Sequence, residues 1–461
     1  MLPLRIENGG NRPKYEQLYR QIREAVTAGR LADGERLPSK RRLAEHLNLA
    51  VNTVENAYAQ LIAEGYIETR EKRGYYVQRI EAPLRAPRRA PPAERKPAAA
   101  APAARFDLKT NVVDVRGFPF ATWAKLMREC LRGNPASLLD EPHPQGDPDL
   151  RREIARYLAE FRGMTLSPDR IIVGSGTAHL VGILHDLLPR HRFAVETPCY
   201  PAMPRMLRHR GATVDWIPLD GEGMRVDLLP DADAALASVT PSHHFPLGTV
   251  MGARRRTRLL RWAAEGKARY ILEDDYDSEF RFMLQPVPTL HSLDANDRVV
   301  FINTFSRTIS PSLRIAYMAL PHRLADAYAR RGMVQPCPVS VFEQRTLHKF
   351  LEGGYYERHL ARMRKLYKKR RDTFLRCLAP LDGRVAIAGG EAGLHLLLRA
   401  ENGMTEGEMI RRAAAKGVAV YGLSGYYMER RRETRTVIVG YGRLEPDDLA
   451  RAAALLCLAW K

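Results

Sequence analysis

The run LEDDYDSEF at 272–280 sets five acids and a tyrosine at the end of an apolar stretch. A carboxylate there can keep a pyridine nitrogen protonated, so that the ring draws electrons. A phenol beside it can reach the ring oxygen. Asp274 is assigned the first role and Tyr276 the second. VGSGTAHL, at 173–180, reads as a strand end, a turn of small residues and a helix start. Backbone N–H groups at such a helix start face an anion, which makes Gly176, Thr177 and Ala178 candidate phosphate donors. Tyr200, in ETPCYP, follows the next strand and can stack on a ring. Phosphate donors, a nitrogen-binding carboxylate and an aromatic plate are three needs of a pyridoxal-phosphate site. The fourth is a lysine whose neutral amine forms the Schiff base. Each piece has an ordinary alternative. Any strand-turn-helix resembles the phosphate turn, and a lone tyrosine is usually packing. An acidic strand end can hold a metal, although no matching His cluster accompanies this one.

A second set of residues suits DNA. Ser39 is a natural N-cap for a helix burying Leu43, Ala44 and Leu47. After a turn at Asn48-Leu49, a further helix carries Val54, Ala57, Tyr58, Leu61 and Ile62 at spacings of three and four, and Gly65 ends it. In such a pair the second helix offers its N-terminal side chains to base edges. Here these are Asn52, Thr53 and Asn56. Asparagine pairs with adenine, and threonine reaches a phosphate or a thymine methyl. Arg41 suits phosphate, and Lys72 and Arg73 form the tip of a hairpin built from 66–69 and 75–77.

Three kinds of segment position these residues. In front of the helix pair, Pro13 opens a helix with Tyr15, Leu18, Ile22 and Val26 on one face. Residues 81–105, EAPLRAPRRAPPAERKPAAAAPAAR, cannot bury a core and are expected to be an extended or disordered tether. Beyond them, apolar runs at 170–176, 192–198, 235–242, 269–277 and 298–306 alternate with helical stretches, the pattern of a mostly parallel sheet covered by helices. A charged helical region at 340–376 leads into a smaller α+β part with strand-like 394–400 and 436–441. The expected domains are 1–80, a linker at 81–106, and a body at 107–461 whose small C-terminal part begins near 375.

Totals set the outer limits. The chain has 461 residues and a net charge of +20, which fits DNA affinity or simply an arginine-rich solvated surface. No run approaches the roughly 20 apolar residues of a membrane span. Nothing at the N-terminus resembles a secretion signal. The five cysteines are scattered with no CxxC pair, which argues against disulfides or zinc and for the cytoplasm.

Residues 37–77, LPSKRRLAEHLNLAVNTVENAYAQLIAEGYIETREKRGYYV, resemble the GntR-type winged helix-turn-helix. The usual Ser-Arg pair opening the recognition helix is Ala50-Val51 here. From about 107 onward the chain resembles the MocR class, in which such a reader is fused to a fold-type-I aminotransferase body. PQGDPDLRREIARYL (144–158), VTPSHHFPLGTVM (239–251), EDDYDSEFRF (273–282), TFSRTISPSLRIAYMALP (304–321) and YYERHLARMRKLYKKRRD (355–372) carry the likeness in order. The resemblance implies that Thr304, Ser306 and Arg314 stand beside the cofactor phosphate. It also implies that Arg307 occupies the position of the cofactor lysine. A guanidinium stays protonated and forms no ordinary Schiff base. The expected body therefore holds pyridoxal phosphate, pyridoxamine phosphate or a preformed amino-acid adduct without a covalent bond. Alternatively, Arg307 pairs with the phosphate or with Asp274 in an empty pocket. Both a natural pseudo-enzyme and an introduced arginine fit the sequence. An effector carboxylate is expected at Arg435, with Arg443 second; a solvated Arg435 is the alternative. The resemblance further implies a head-to-tail homodimer bound to a DNA operator, with a B6 vitamer, an amino acid or their adduct as effector. The basic helix around 362–371 suits either DNA or solvent. The rival reading is a working aminotransferase with an appended DNA-binding domain, against which Arg307 argues. A constitutive DNA-binding protein on an inert scaffold is the third.

Overall fold

The structure, a computed structural model, describes residues 4, 6, 12–79, 104–110, 112–133, 135–229, 234–282, 287–331, 335–430 and 432–461. The expected linker lies, from 81 to 103, outside the described residues. The chain divides into two units, Met1–Ala101 and Pro102–Lys461. Among the described residues no helix is long and apolar enough to cross a membrane.

In the first unit, helix Lys14–Thr27 buries Leu18, Tyr19, Ile22, Ala25 and Val26. Tyr15, expected on that face, is exposed. Ser39 Oγ accepts the Arg42 N–H at 3.3 Å and caps helix Lys40–Leu47. Asn48 ends that helix at φ 50°, a left-handed conformation its short polar side chain tolerates. Helix Val51–Ala63 then buries Val54, Ala57, Tyr58 and Leu61, with Ile62 left exposed. Strands Ile67–Arg70 and Gly74–Val77 pair antiparallel, Ile67 against Val77. Arg36–Leu37 adds a third strand against Tyr75 and Tyr76 that periodicity did not reveal. Leu18, Ile22, Leu43, Val54, Tyr58, Leu61 and Val77 share one core, each worth about 1.5–3 kcal/mol by burial.

The second unit is built on an eight-stranded sheet. Its spatial order is Ile171–Gly174, Ala316–Ala319, Val299–Thr304, Tyr270–Asp274, Leu236–Val239, Arg192–Thr197, Thr213–Asp220 and Gly223–Met224. The five expected strands are present, and all but the first adjoin another of the five in parallel. Ala316–Ala319 runs antiparallel between Val299–Thr304 and Ile171–Gly174. Buried on both faces, these strands read as unbroken apolar runs. Their carboxyl ends bring Gly174, Thr197, Val239, Asp274 and Thr304 to one edge of the sheet, where open α/β folds hold ligands.

The region expected as one charged helical stretch is two helices. Val341–Glu352 stops at Gly353-Gly354, and Tyr355–Leu378 starts after Gly354 takes φ 63°. The C-terminal part carries an antiparallel sheet of Val385–Ala388, His395–Ala400, Thr436–Gly440 and Tyr421–Gly422. Helices Glu406–Ala415, closed by a Thr405–Glu408 capping box, and Pro446–Ala459 accompany it. Phe106–Asp107 pairs with Val418–Ala419, so the start of the body belongs to this C-terminal part.

Candidate functional site

The DNA-facing candidates lie on one small frame. The ion pair of Lys40 and Glu55 joins the two helices, and Tyr58 Oη donates to the Pro38 carbonyl at 3.0 Å. These contacts fix the angle at which Val51–Ala63 is presented. Asn52 and Asn56 are exposed one turn apart on the same face, with Thr53 half-buried between them. Arg41 is exposed on the preceding helix. Lys72, at φ 59°, and Arg73 are exposed at the hairpin tip. Ser39 is committed to its cap. Ala50 offers no side-chain cap to the recognition helix, and Val51 beside it is 42% exposed.

In the body, the acid-rich segment splits by strand alternation. Glu273 accepts the Leu290 and His291 N–H groups at 2.9 and 3.0 Å. Asp275 pairs with Arg162 at 2.6 Å, both buried. Between them, Asp274 points to the other side. Burial, then Asp275, push its carboxyl up to about 7, while Arg307 pulls it down. Arg307 also acts on Tyr276 and His395, so the structure brings Asp274, Tyr276 and Arg307 together. No cluster able to hold a metal occurs among the described residues.

The turn expected to hold phosphate meets Arg314. Helix Thr177–Leu187 opens after Gly176 at φ 100° with no side-chain cap. The His179 and Leu180 N–H groups return to the Gly176 carbonyl, which leaves those of Thr177 and Ala178 without a partner among the described residues. Arg314 Nη2 donates to the Ser175 carbonyl at 3.2 Å. A Cβ on residue 176 would lie 2.8 Å from that nitrogen, so glycine is what admits the guanidinium. The Thr304 hydroxyl donates to the Ile315 carbonyl, next to Arg314, and accepts the Ser306 N–H, closing the loop that carries Arg307. Ser306 is half-buried on that loop.

Tyr200 is half exposed, its ring edge-on to Phe245 at 6.0 Å. Phe245 in turn stands edge-on to Tyr276 at 6.3 Å. Spacing had given no role to Phe245 or its neighbours. His243 Nδ1 lies 3.0 Å from Asp277 and 3.1 Å from Tyr276 Oη. Behind Asp274, Glu196 accepts two hydrogen bonds from Thr240, and burial pushes its carboxyl up to about 8. The His243-His244 pair in an otherwise apolar block was the one available signal.

Arg435 is not brought to this cluster. It is exposed and precedes strand Thr436–Gly440. It shares a strand face with Val437 and Val439 of the main core, whereas Ile438 faces Leu247 and Tyr426. Arg443 is exposed as well. In the basic helix, Arg370 is fully buried against Asp114 and the Gly442 carbonyl, and Arg371 is buried too, so neither is open to DNA or solvent.

Residues 14–77 match the family of bacterial regulatory proteins, gntR family, and residues 106–439 match aminotransferase class I and II. YhdI, an HTH-type transcriptional regulator of Bacillus subtilis, is 36% identical over 99% of this chain and 97% of its own. The probable rhizopine catabolism regulatory protein MocR of Rhizobium meliloti is 32% identical over 96% and 93%. The HTH-type pyridoxine biosynthesis transcriptional regulator PdxR of Corynebacterium glutamicum is 32% identical over 94% and 93%. Among solved structures, the kynurenine aminotransferase of Pyrococcus horikoshii superposes with a TM-score of 0.69 at 25% identity, over 77% of this chain and 90% of that one. A GntR-type reader on a fold-type-I aminotransferase-like body, matched end to end by regulators, makes this chain a DNA-binding transcription regulator of the MocR type within the GntR family.

Proposed function

We propose that the body is a sensor that holds pyridoxal phosphate, or a related B6 or amino-acid adduct, without a covalent bond. The observation that carries this reading is Arg307, within electrostatic reach of both Asp274 and Tyr276. The residues fit the group. Unpaired N–H groups on Thr177 and Ala178, with Arg314 against Gly176, suit the phosphate. Asp274 suits the ring nitrogen, Tyr276 the ring oxygen, and Tyr200 with Phe245 the ring face. When bound, the cofactor supplies an electron-poor ring and an aldehyde that takes up amines. Arg307 contributes charge but no neutral amine to receive that aldehyde, and no base to move a proton from a substrate carbon. The outcome is recognition, which the reader domain converts into operator affinity. The regulator acts in the cytoplasm as a head-to-tail homodimer, so that two readers meet two half-sites.

The test pairs two measurements on the full chain. Pyridoxal phosphate shifts operator affinity in a fluorescence-anisotropy titration. Borohydride treatment followed by mass analysis finds no adduct within 304–314. A covalent adduct there, or cofactor-dependent turnover of an amino donor, would sink the reading in favour of a transaminase.

A further inference from the structure

Apart from the cradle, a cavity of about 560 Å³ opens between residues 248–250, Arg281 and the C-terminal part. Arg281, Arg371, Glu391, Gly248, Gly389 and Gly390 form the wall that matters. None of Gly176, Thr177, Tyr200, Asp274, Arg307 or Arg314 lines it.

Arg281 is 8% exposed, and its Nε and Nη1 have no hydrogen-bond partner among the described residues. Burial, then Arg162, push this guanidinium below its ordinary range, while Asp275, Asp277 and Glu391 pull it back. A buried cation with idle donors is a costly arrangement that an anion would complete. Arg371, in contrast, is held in place. It donates to the Gly390 carbonyl at 3.0 Å and to Asp372 Oδ1 at 2.6 and 2.9 Å, with its plane over Phe282. Elsewhere the wall is apolar, with Val250, Leu375 and Ile387, and bare backbone at the glycines. A Cβ on Gly248 would lie 3.2 Å from the Gly389 Cα, so the two loops approach closely there, and both glycines take a positive φ, 73° and 85°.

We propose that this cavity is a second ligand site, which takes a small carboxylate- or phosphate-bearing anion on Arg281. The volume is that of a small-molecule site. Of the two wall guanidiniums, Arg371 is already paired with Asp372, so Arg281 is the one that an anion would engage. The occupant spans the loop at 248–250 and the segment 387–392, and so ties the parallel-sheet part to the C-terminal part. Arg281 also acts on Asp277, which holds His243 beside Tyr276. An anion here alters the charge balance next to the cradle without entering it. The site does not depend on whether the cradle binds a B6 compound.

Calorimetry on the full chain tests this, with inorganic phosphate and glutarate as probes at ionic strength held constant by chloride. At least one probe binds saturably; phosphate alone marks a phosphorylated ligand class, and glutarate alone a carboxylate. Arg281→Met removes one binding event, and Arg281→Lys, which keeps charge but loses the fork, weakens that event about tenfold. Arg314→Met, in the cradle, leaves it intact. If Arg281→Met does not fold, Arg281→Lys carries the comparison. No saturable binding by wild type overturns the proposal, as does binding unchanged in the Arg281 variants. Binding lost in Arg314→Met but kept in Arg281→Met would assign the anion to the cradle and equally end it.

Discussion

On the proposed reading, Arg307 stands where a lysine would bond to an aldehyde, so Arg307→Lys is the informative exchange. With pyridoxal phosphate added, the variant gains an absorbance band absent from wild type and a borohydride-stable adduct within 304–314; an unchanged spectrum would show that the loop does not present this residue to the cofactor. Asp274 supports a pH experiment. Its carboxyl is pushed up to about 7 from the ordinary 3.8, so the folded chain holds that proton more tightly than the unfolded one. Its contribution to stability is therefore full below about pH 4 and lost as pH rises towards about 7. In the cofactor-free protein, Asp274→Asn removes that loss, so its Tm exceeds that of wild type at about pH 7.5 and the gap closes by about pH 4.5. A gap independent of pH overturns the assignment. Asp274 and Tyr276 were legible because they share one strand end, where alternation sets them apart from Glu273 and Asp275. Arg314 came from family likeness, since its contact with Ser175 joins loops 139 residues apart. His243 and Phe245 were not legible. They sit in a loop, and only the fold shows what a loop side chain meets. Arg435 was named for its nearness to a strand, and only the fold shows the face it shares.

Among the elements, the recognition helix shows most directly what one residue type costs. It begins without a side-chain cap at Ala50, so Ala50→Ser stabilises the reader by about 1 kcal/mol, seen as a raised denaturation midpoint. No gain would mean that the helix start is already satisfied. Base reading and phosphate binding separate on the same unit. Asn52→Ala costs operator DNA about 1–3 kcal/mol and relaxes preference at one base pair. Lys72→Ala weakens operator and random DNA alike and lowers the salt slope by about one. The reverse pattern would exchange their roles. Helices with three-and-four spacing and long apolar strands could be read in advance. Arg36–Leu37 could not, because two residues carry no period. Thr213–Asp220 was hidden by its alternating polar residues. Ala316–Ala319 lay inside a block whose interest was chemical, and nothing in its composition says that it runs antiparallel.

For the whole molecule, the two units keep separate cores. Among the described residues, the apolar cluster around Leu18 and Tyr58 has no member beyond residue 77, and the body's clusters begin at Phe106. Each is expected to unfold on its own. Calorimetry shows two transitions, and a fragment starting at residue 104 keeps the higher-numbered one and its pyridoxal-phosphate affinity while losing DNA binding. A single cooperative transition would mean that the units are energetically one. The antiparallel strand Ala316–Ala319 adds a consequence in time. The reader needs nothing beyond Val77 to close its core. The cradle, in contrast, waits for this strand, because only its pairing with Ile171–Gly174 sets Arg314 against Ser175. At roughly 5–20 residues per second of synthesis, that delay is on the order of tens of seconds. A nascent chain is thus able to grip DNA well before the proposed ligand cradle is assembled.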